Sequence, residues 1–279
     1  MLRGRAMVDR EPGRALTRGA PVNADAGTLV AARSAVAACE LCPRLRSYCR
    51  RIAVEKKLAH RDDVYWGRPV PGFGDPTARL LVVGLAPAAH GANRTGRVFT
   101  GDGSGDFLMR AMHTNGFASI PTARHAGDGL VLADAYILSV VRCAPPDNKP
   151  EPAEIARCRV HLRAEIGALP RVRVVLALGK IAWDGFLAYL REDLLSRGAD
   201  YAQDAHDAHD RLRPRPTFGH GVVVPLGPGL PTLIGSYHPS RQNTNTGKLT
   251  PPMLATVFEE ARRLIHETPI HDTAHVNLR

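Results

Sequence analysis

Arg79 to Leu85 reads RLLVVGL, and the run decides the fold because it is almost unbroken in its apolar character. A strand with one face in water alternates apolar and polar residues, whereas a strand covered on both faces is apolar throughout, as the central strands of a parallel sheet are. Three further runs share this character: Tyr136 to Val141 (YILSVV), Val172 to Leu178 (VRVVLAL) and Thr232 to Ser236 (TLIGS). The amphipathic stretches between and after them predict helices at about Asp106 to Asn115 with Gly116 as C-cap, Pro152 to Ala168, Ile181 to Leu190, and Pro252 to His266. Pro152 and Pro252 fall where a first helical turn tolerates proline. Strands alternating with helices predict an α/β fold: three layers, α/β/α, around a central, mainly parallel four-stranded sheet.

In such sheets ligands gather where the strands end at their carboxyl side. Three of the four strand exits are long and polar: Ala86 to Gly105, Arg142 to Pro150, and Tyr237 to Gly247. The fourth, Gly179-Lys180, passes almost directly into a helix. One domain is expected over residues 28–279, preceded by a disordered basic leader over 1–27 that carries Arg3, Arg5, Arg10, Arg14 and Arg18. Residues 198–221, GADYAQDAHDAHDRLRPRPTFGHG from Gly198, read as an irregular, solvated insert; His206 and His209 within it are not expected to bind metal.

The chain has 279 residues, 44% of them hydrophobic, enough for one substantial core. Its 37 Lys and Arg against 27 Asp and Glu give a net charge of +10 and a pI near 9.8, a balance that favours polyphosphate partners through counterion release. Nucleic acid is therefore the first partner to consider, although charge alone slightly favours a basic protein without one. No run approaches the length of a membrane span, and no apolar signal segment stands at the N-terminus, so a cytoplasmic protein is expected.

Cysteines stand at Cys39, Cys42, Cys49, Cys143 and Cys158. An odd count in a cytoplasmic chain argues against a disulfide framework. The C-x2-C pair puts two thiols on one turn, and Cys143 and Cys158 can complete a tetrahedral set if the fold brings them near. Buried structural cysteines are the equal alternative on spacing alone.

Two segments are more specific. GLAPAAHGANRTGRVFTGD (Gly84 to Asp102) follows the first long strand and YHPSRQNTNTG (Tyr237 to Gly247) follows the last. Together with the cysteines they resemble the family 5 uracil-DNA glycosylases, the UDGb type of the uracil-DNA glycosylase superfamily, over about Cys39 to His266. The resemblance implies a monofunctional DNA N-glycosylase of base excision repair that flips a damaged base and hydrolyses its bond to the sugar. It further implies a [4Fe-4S] cluster near the N-terminal segment, on Cys39, Cys42, Cys143 and Cys158, with Cys49 spare. The partner is then DNA, double-stranded with single-stranded DNA also admitted, and the enzyme a monomer. Arg44, Arg46, Arg50, Arg51, Lys56 and Lys57 would face its phosphates, a solvated basic helix being the alternative.

Base excision needs a flipped base held by stacking, donors facing the charge that develops on it, and a carboxylate near the sugar. By resemblance Phe99 stacks, with Gly84, Leu85, Ala86 and Asn148 also against the base, His238 donates to the departing base, and Asp102 is the carboxylate. A structural histidine and a helix N-cap are the plain alternatives for His238 and Asp102, and capping is compatible with catalysis. Ser240, Arg241, Gln242 and Asn243 are assigned to a loop that enters the minor groove. The backbone of Pro69 to Gly74 (PVPGFG) is assigned a phosphate contact. Many superfamily members carry Asp, Asn or Glu at the position of Ala86 and Asn at that of Ser139; their absence here, typical of family 5, predicts a base range that includes hypoxanthine and modified pyrimidines. Two other readings remain: a non-catalytic iron-sulfur DNA-binding or damage-sensing protein, and a nucleotide-binding α/β enzyme. The second lacks both the G-x-G-x-x-G spacing and a P-loop lysine.

Overall fold

Leu80–Gly84 is buried at every position, and so are Ala135–Ser139 and Val174–Leu178, which is why their sequences do not alternate. In the computed structural model, which describes residues 26–198 and 214–267, these segments form strands β2, β3 and β4. Thr232–Ser236 forms β6, and the four pair in parallel in the order β3-β2-β4-β6. In register, Val82 stands between Ile137 and Leu176, and Leu176 stands beside Ile234.

The sheet has six strands, not the four expected. Phe73–Gly74 (β1) pairs antiparallel with β3 at one edge, and Val223–Pro225 (β5) pairs antiparallel with β6 at the other. Both are too short to show a period, and each contains a residue disfavoured inside strands, Gly74 and Pro225. Pro69 to Gly74, expected to contact a phosphate, instead runs into this edge. Val70 is fully buried, and the Gly72 N–H donates to Glu165 Oε1 at 2.9 Å.

One face of the sheet presents Leu81, Val83, Leu138 and Val175 to a core shared with α1 (Ala26–Ala37), α2 (Pro43–Glu55), α5 (Pro152–Gly167) and α6 (Lys180–Gly198). The opposite face presents Leu80, Val82, Leu176 and Ile234 to α4 (Gly103–Thr114) and α8 (Pro251–His266). The three-layer arrangement follows. A short α3 (Ala92–Thr95) and α7 (Arg241–Asn245) lie in the strand exits. Helix α8 starts as expected: Pro251 and Pro252 occupy its first turn, and the Thr250 side chain accepts from the Met253 N–H. Residues 1–25 of the leader expected over 1–27, and 199–213 of the insert expected over 198–221, with His206 and His209, lie outside the described residues, while Ala26 and Gly27 already belong to α1.

Parallel pairing continues past the strand ends, with Val140 N–H donating to Gly84 O at 2.9 Å and Val141 N–H to Leu85 O at 3.0 Å. The loops after β2 and β3 therefore leave the sheet side by side.

Candidate active site

The loop after β2 is closed by an arginine. Arg94 donates to the carbonyls of His90 and Gly101, at 2.8 and 3.0 Å, and pairs with Asp63 at 2.7 Å. Phe99 lies at its far end with φ +48°, a left-handed conformation that a bulky residue adopts only when its surroundings impose it. The surroundings here are specific. Buried Arg97 binds Asp128 through two bonds of 2.8 and 2.7 Å and Thr100 Oγ1 at 2.9 Å, which fixes the backbone on both sides of Phe99. The Phe99 ring then lies against Gly84, where a Cβ would stand only 2.7 Å from Phe99 Cε2. Gly84 thus acts as the floor beneath the ring rather than as a cleft wall.

Asp102 ends the loop and caps α4, Oδ1 accepting from the Gly105 N–H at 3.0 Å. The N-cap reading of this residue is therefore correct as far as it goes. Its carboxylate also packs against the bare Cα of Gly91, where a side chain would collide with Oδ2. Burial raises the Asp102 pKa above the ordinary carboxylate value, against the opposing pull of backbone donors at Gly105 and Ser104 and of Arg241. The result is a carboxylate more basic than usual, with one oxygen anchored.

His238 arrives from β6. Gly179, at φ +95°, lets the turn after β4 pass within van der Waals reach of the His238 Cβ. The His238 ring stands 5.7 Å, centroid to centroid, from the Phe99 ring at 32°. Burial pushes its pKa down to about 4, so the imidazole is neutral at physiological pH and offers one N–H.

These residues border a cleft of about 550 Å³ at the carboxyl ends of the parallel strands. Leu85 and Ala86 line it from the first loop, and Asn148 from the loop after β3. Ser240, Arg241 and Gln242 line it from the last. Asn243 does not: its Nδ2 donates to the His238 carbonyl at 2.8 Å, and it faces a neighbouring cavity of about 290 Å³ on the other side of His238. The segment assigned to a groove-entering loop is helical over Arg241–Asn245, because the Ser240 hydroxyl accepts from the Asn243 N–H and caps the turn. Ser139 lines the cleft at the position where many superfamily members carry Asn, and Ser104 and Asp147 also line it, with no expectation from sequence that they would. Asp147 and Asn148 are consecutive left-handed residues, φ +53° and +56°, and Pro145-Pro146-Asp147-Asn148 carries the turn chemistry that permits this. That turn chemistry is a signal present in the sequence.

The cysteines meet elsewhere. Cys39, Cys42, Cys143 and Cys158 line one apolar cavity formed by the α1–α2 connection, the exit of β3 and α5. Among the described residues no three such side chains converge on a point, as a single metal ion would require. An iron-sulfur cluster would draw thiolates from a wider set, and the four cysteines that line this one cavity are the residues that would supply them. Burial raises the thiol pKa of Cys42, and that of Cys158 to about 11, a cost that ligation to a metal would offset. Arg142 adds donors without partners: its backbone N–H donates to Cys158 Sγ at 3.3 Å, while Nε and Nη1 have no hydrogen-bond partner among the described residues. Cys49 lies beside Cys143 with its Sγ–H 3.6 Å from the Ala144 carbonyl, outside the four that line the cavity.

Part of the basic set expected to face DNA is committed to the protein instead. Arg44 binds Glu154 through two bonds of 2.8 Å, and buried Arg46 donates to the Gly67 carbonyl at 3.1 Å. Arg50 and Arg51 pair with Glu40 and Glu55 on the surface. No helix among the described residues is long and apolar enough to cross a membrane.

The sequence profile of the uracil DNA glycosylase superfamily matches residues 71–262. The chain is 46% identical over 240 residues to the type-5 uracil-DNA glycosylase of Mycobacterium tuberculosis, covering 86% of this chain and 82% of that protein. It is 48% identical to that of Thermus thermophilus over 227 residues, 81% of this chain and 94% of the relative. With the type-5 enzyme of Pyrobaculum aerophilum it shares 43% identity over 223 residues, 80% and 87% of the two chains.

Proposed function

The chain belongs to the uracil-DNA glycosylase superfamily, in its type-5 branch, and from that premise we propose that it excises uracil from DNA by hydrolysis of the N-glycosidic bond. The observation that carries the reading is the meeting of Phe99, His238 and Asp102, from two strand exits, around one cleft. A base extruded from the helix enters that cleft and stacks on Phe99. As the bond between the sugar C1′ and the base nitrogen breaks, its electron pair goes to the base. The neutral His238 N–H donates to a carbonyl oxygen of the leaving base and disperses that charge, without transferring its proton. The sugar becomes oxocarbenium-like. The Asp102 carboxylate, made more basic than usual by burial, faces that positive charge and accepts a proton from the water that attacks C1′.

The substrate we propose is double-stranded DNA, with single-stranded DNA also accepted, acted on by a monomer. Its base range extends to hypoxanthine and modified pyrimidines, because Ala86 and Ser139 leave fewer fixed polar groups that a base must satisfy. Cys39, Cys42, Cys143 and Cys158 would hold a [4Fe-4S] cluster that ties the N-terminal helices to the exit of β3. That group would supply structural cross-linking, with no part in bond cleavage.

Incubation with a uracil-containing duplex followed by alkali tests the function: strand scission at the uracil is expected, and an intact strand would overturn the reading. In the same assay, cleavage restricted to uracil across a panel of lesions would overturn the wider base range.

A further inference from the structure

The segment 216–222, at the described end of a stretch that looks solvated in sequence, is held against α6 and β6. Trp183 Nε1 donates to the Pro216 carbonyl at 3.1 Å, Gly221 N–H to Gly235 O at 2.8 Å, and Gly235 N–H to Val222 O at 2.9 Å. Gly235 has to be glycine, since a Cβ there would collide with the Gly219 carbonyl. The close approach brings His220 against Ser236 and Tyr237, the two residues before His238.

His220 Nδ1 accepts from the Tyr237 backbone N–H at 3.2 Å and stands 3.3 Å from Ser236 Oγ. Because Nδ1 accepts from a backbone N–H, the proton of the neutral ring stands on Nε2. The ring also stacks on Tyr237, 5.0 Å between centroids at 20°. Tyr237 immediately precedes His238, whose own carbonyl is held by Asn243 at 2.8 Å. The backbone of the base-facing histidine is thus gripped on both sides, by His220 before it and Asn243 after it.

We infer that His220 is a positioning residue for His238, setting through the Tyr237 peptide the angle at which the His238 ring meets the base. The inference rests on the proposed function, in which His238 stabilises the leaving base. His220 itself does not border the 550 Å³ cleft and touches no substrate.

The test compares single-turnover uracil release, duplex Kd and Tyr237 amide hydrogen exchange in the full-length protein. His220→Ala is expected to slow release about tenfold, the scale of one lost hydrogen bond, with Kd within about twofold. His220→Asn, whose carbonyl oxygen can still accept from the Tyr237 N–H, is expected to recover most of the rate. In a His238→Ala background, His220→Ala is expected to cost nothing further, and the Tyr237 amide is expected to exchange faster whenever His220 is Ala. Equal loss in the Asn and Ala variants, or an undiminished loss in the His238→Ala background, would reduce His220 to a general structural role and overturn the inference. Should the wild-type protein release no uracil, the proposed function fails, whereas unchanged Tyr237 exchange in His220→Ala would sink the positioning bond itself.

Discussion

The loop after β3 serves two regions built in opposite ways. Arg142 and Cys143 face the cysteine cavity, while Asp147 and Asn148, a few residues on, face the cleft. The cleft is made from strained backbone and missing side chains: left-handed Phe99, Asp147 and Asn148, and glycines at 84, 91 and 179 that let one segment lie on another. The cysteine corner is made from burial. Arg142, 1% exposed, pairs at 2.6 Å with Glu165, 0% exposed, whose other oxygen accepts from the Tyr136 hydroxyl at 3.0 Å and the Gly72 N–H at 2.9 Å. The difference teaches where each region is vulnerable. Substitutions in the cleft should cost rate and spare the fold, and substitutions in the corner should do the reverse.

The largest effect expected is on rate. Asp102→Asn keeps the cap on α4, since the amide oxygen can still accept from Gly105, yet loses the negative charge; release should fall by about a thousandfold while duplex Kd holds. The wild-type pH profile should carry the same signature. Because burial raises the Asp102 pKa, activity is full well above it and is lost as pH falls through it, beginning above the ordinary carboxylate range. His238, with a pKa near 4, stays neutral above the ordinary carboxylate range, so the upper part of the limb should vanish from the residual activity of Asp102→Asn. A wild-type rate in this variant, measured by single turnover, would remove Asp102 from the chemistry.

Next in size is a stability effect. Arg142→Met leaves Glu165 buried without its cation and should cost roughly 3–5 kcal/mol in a denaturant titration, with uracil release per folded molecule little changed. The double variant Arg142→Met, Glu165→Gln should recover part of that loss. A fall in rate without loss of stability would break the division between the two regions. The smallest effect should follow from Gly84→Ala, whose methyl must push the Phe99 ring from its place. Release is expected to drop about tenfold, with the melting temperature nearly unaltered, and a large fall in stability would instead place Gly84 with the core.

Much of the fold is legible in the sequence. β2, β3, β4 and β6 stand within two residues of their expected bounds because strands buried on both faces leave an uninterrupted apolar signal. The edge strands leave none, being short and only partly covered. Asp102 and His238 are legible through the segments around them. The secondary roles are not: Asn243 has the look of a DNA contact and turns inward to the His238 carbonyl, while Arg44 and Arg46 resemble phosphate ligands and turn to Glu154 and Gly67. An Asn or Arg has the same appearance in sequence whether its partner is a nucleic acid or a carbonyl of its own chain. His220 is hidden further, in a segment whose prolines and charge read as solvated loop.

By itself, then, the sequence determined the layered sheet, the three exits that carry polar residues, and the cysteines that could serve together. Local patterning suffices for those because burial and turn chemistry act over a few residues. Tertiary structure alone decided that Phe99 and His238 come to 5.7 Å and that Gly84 lies beneath the ring. It also decided that His220 holds the N–H of Tyr237, the residue before His238. These contacts join segments distant in the chain, and they depend on the strand order β2-β4-β6 and on glycines whose missing side chains matter only once another segment lies against them.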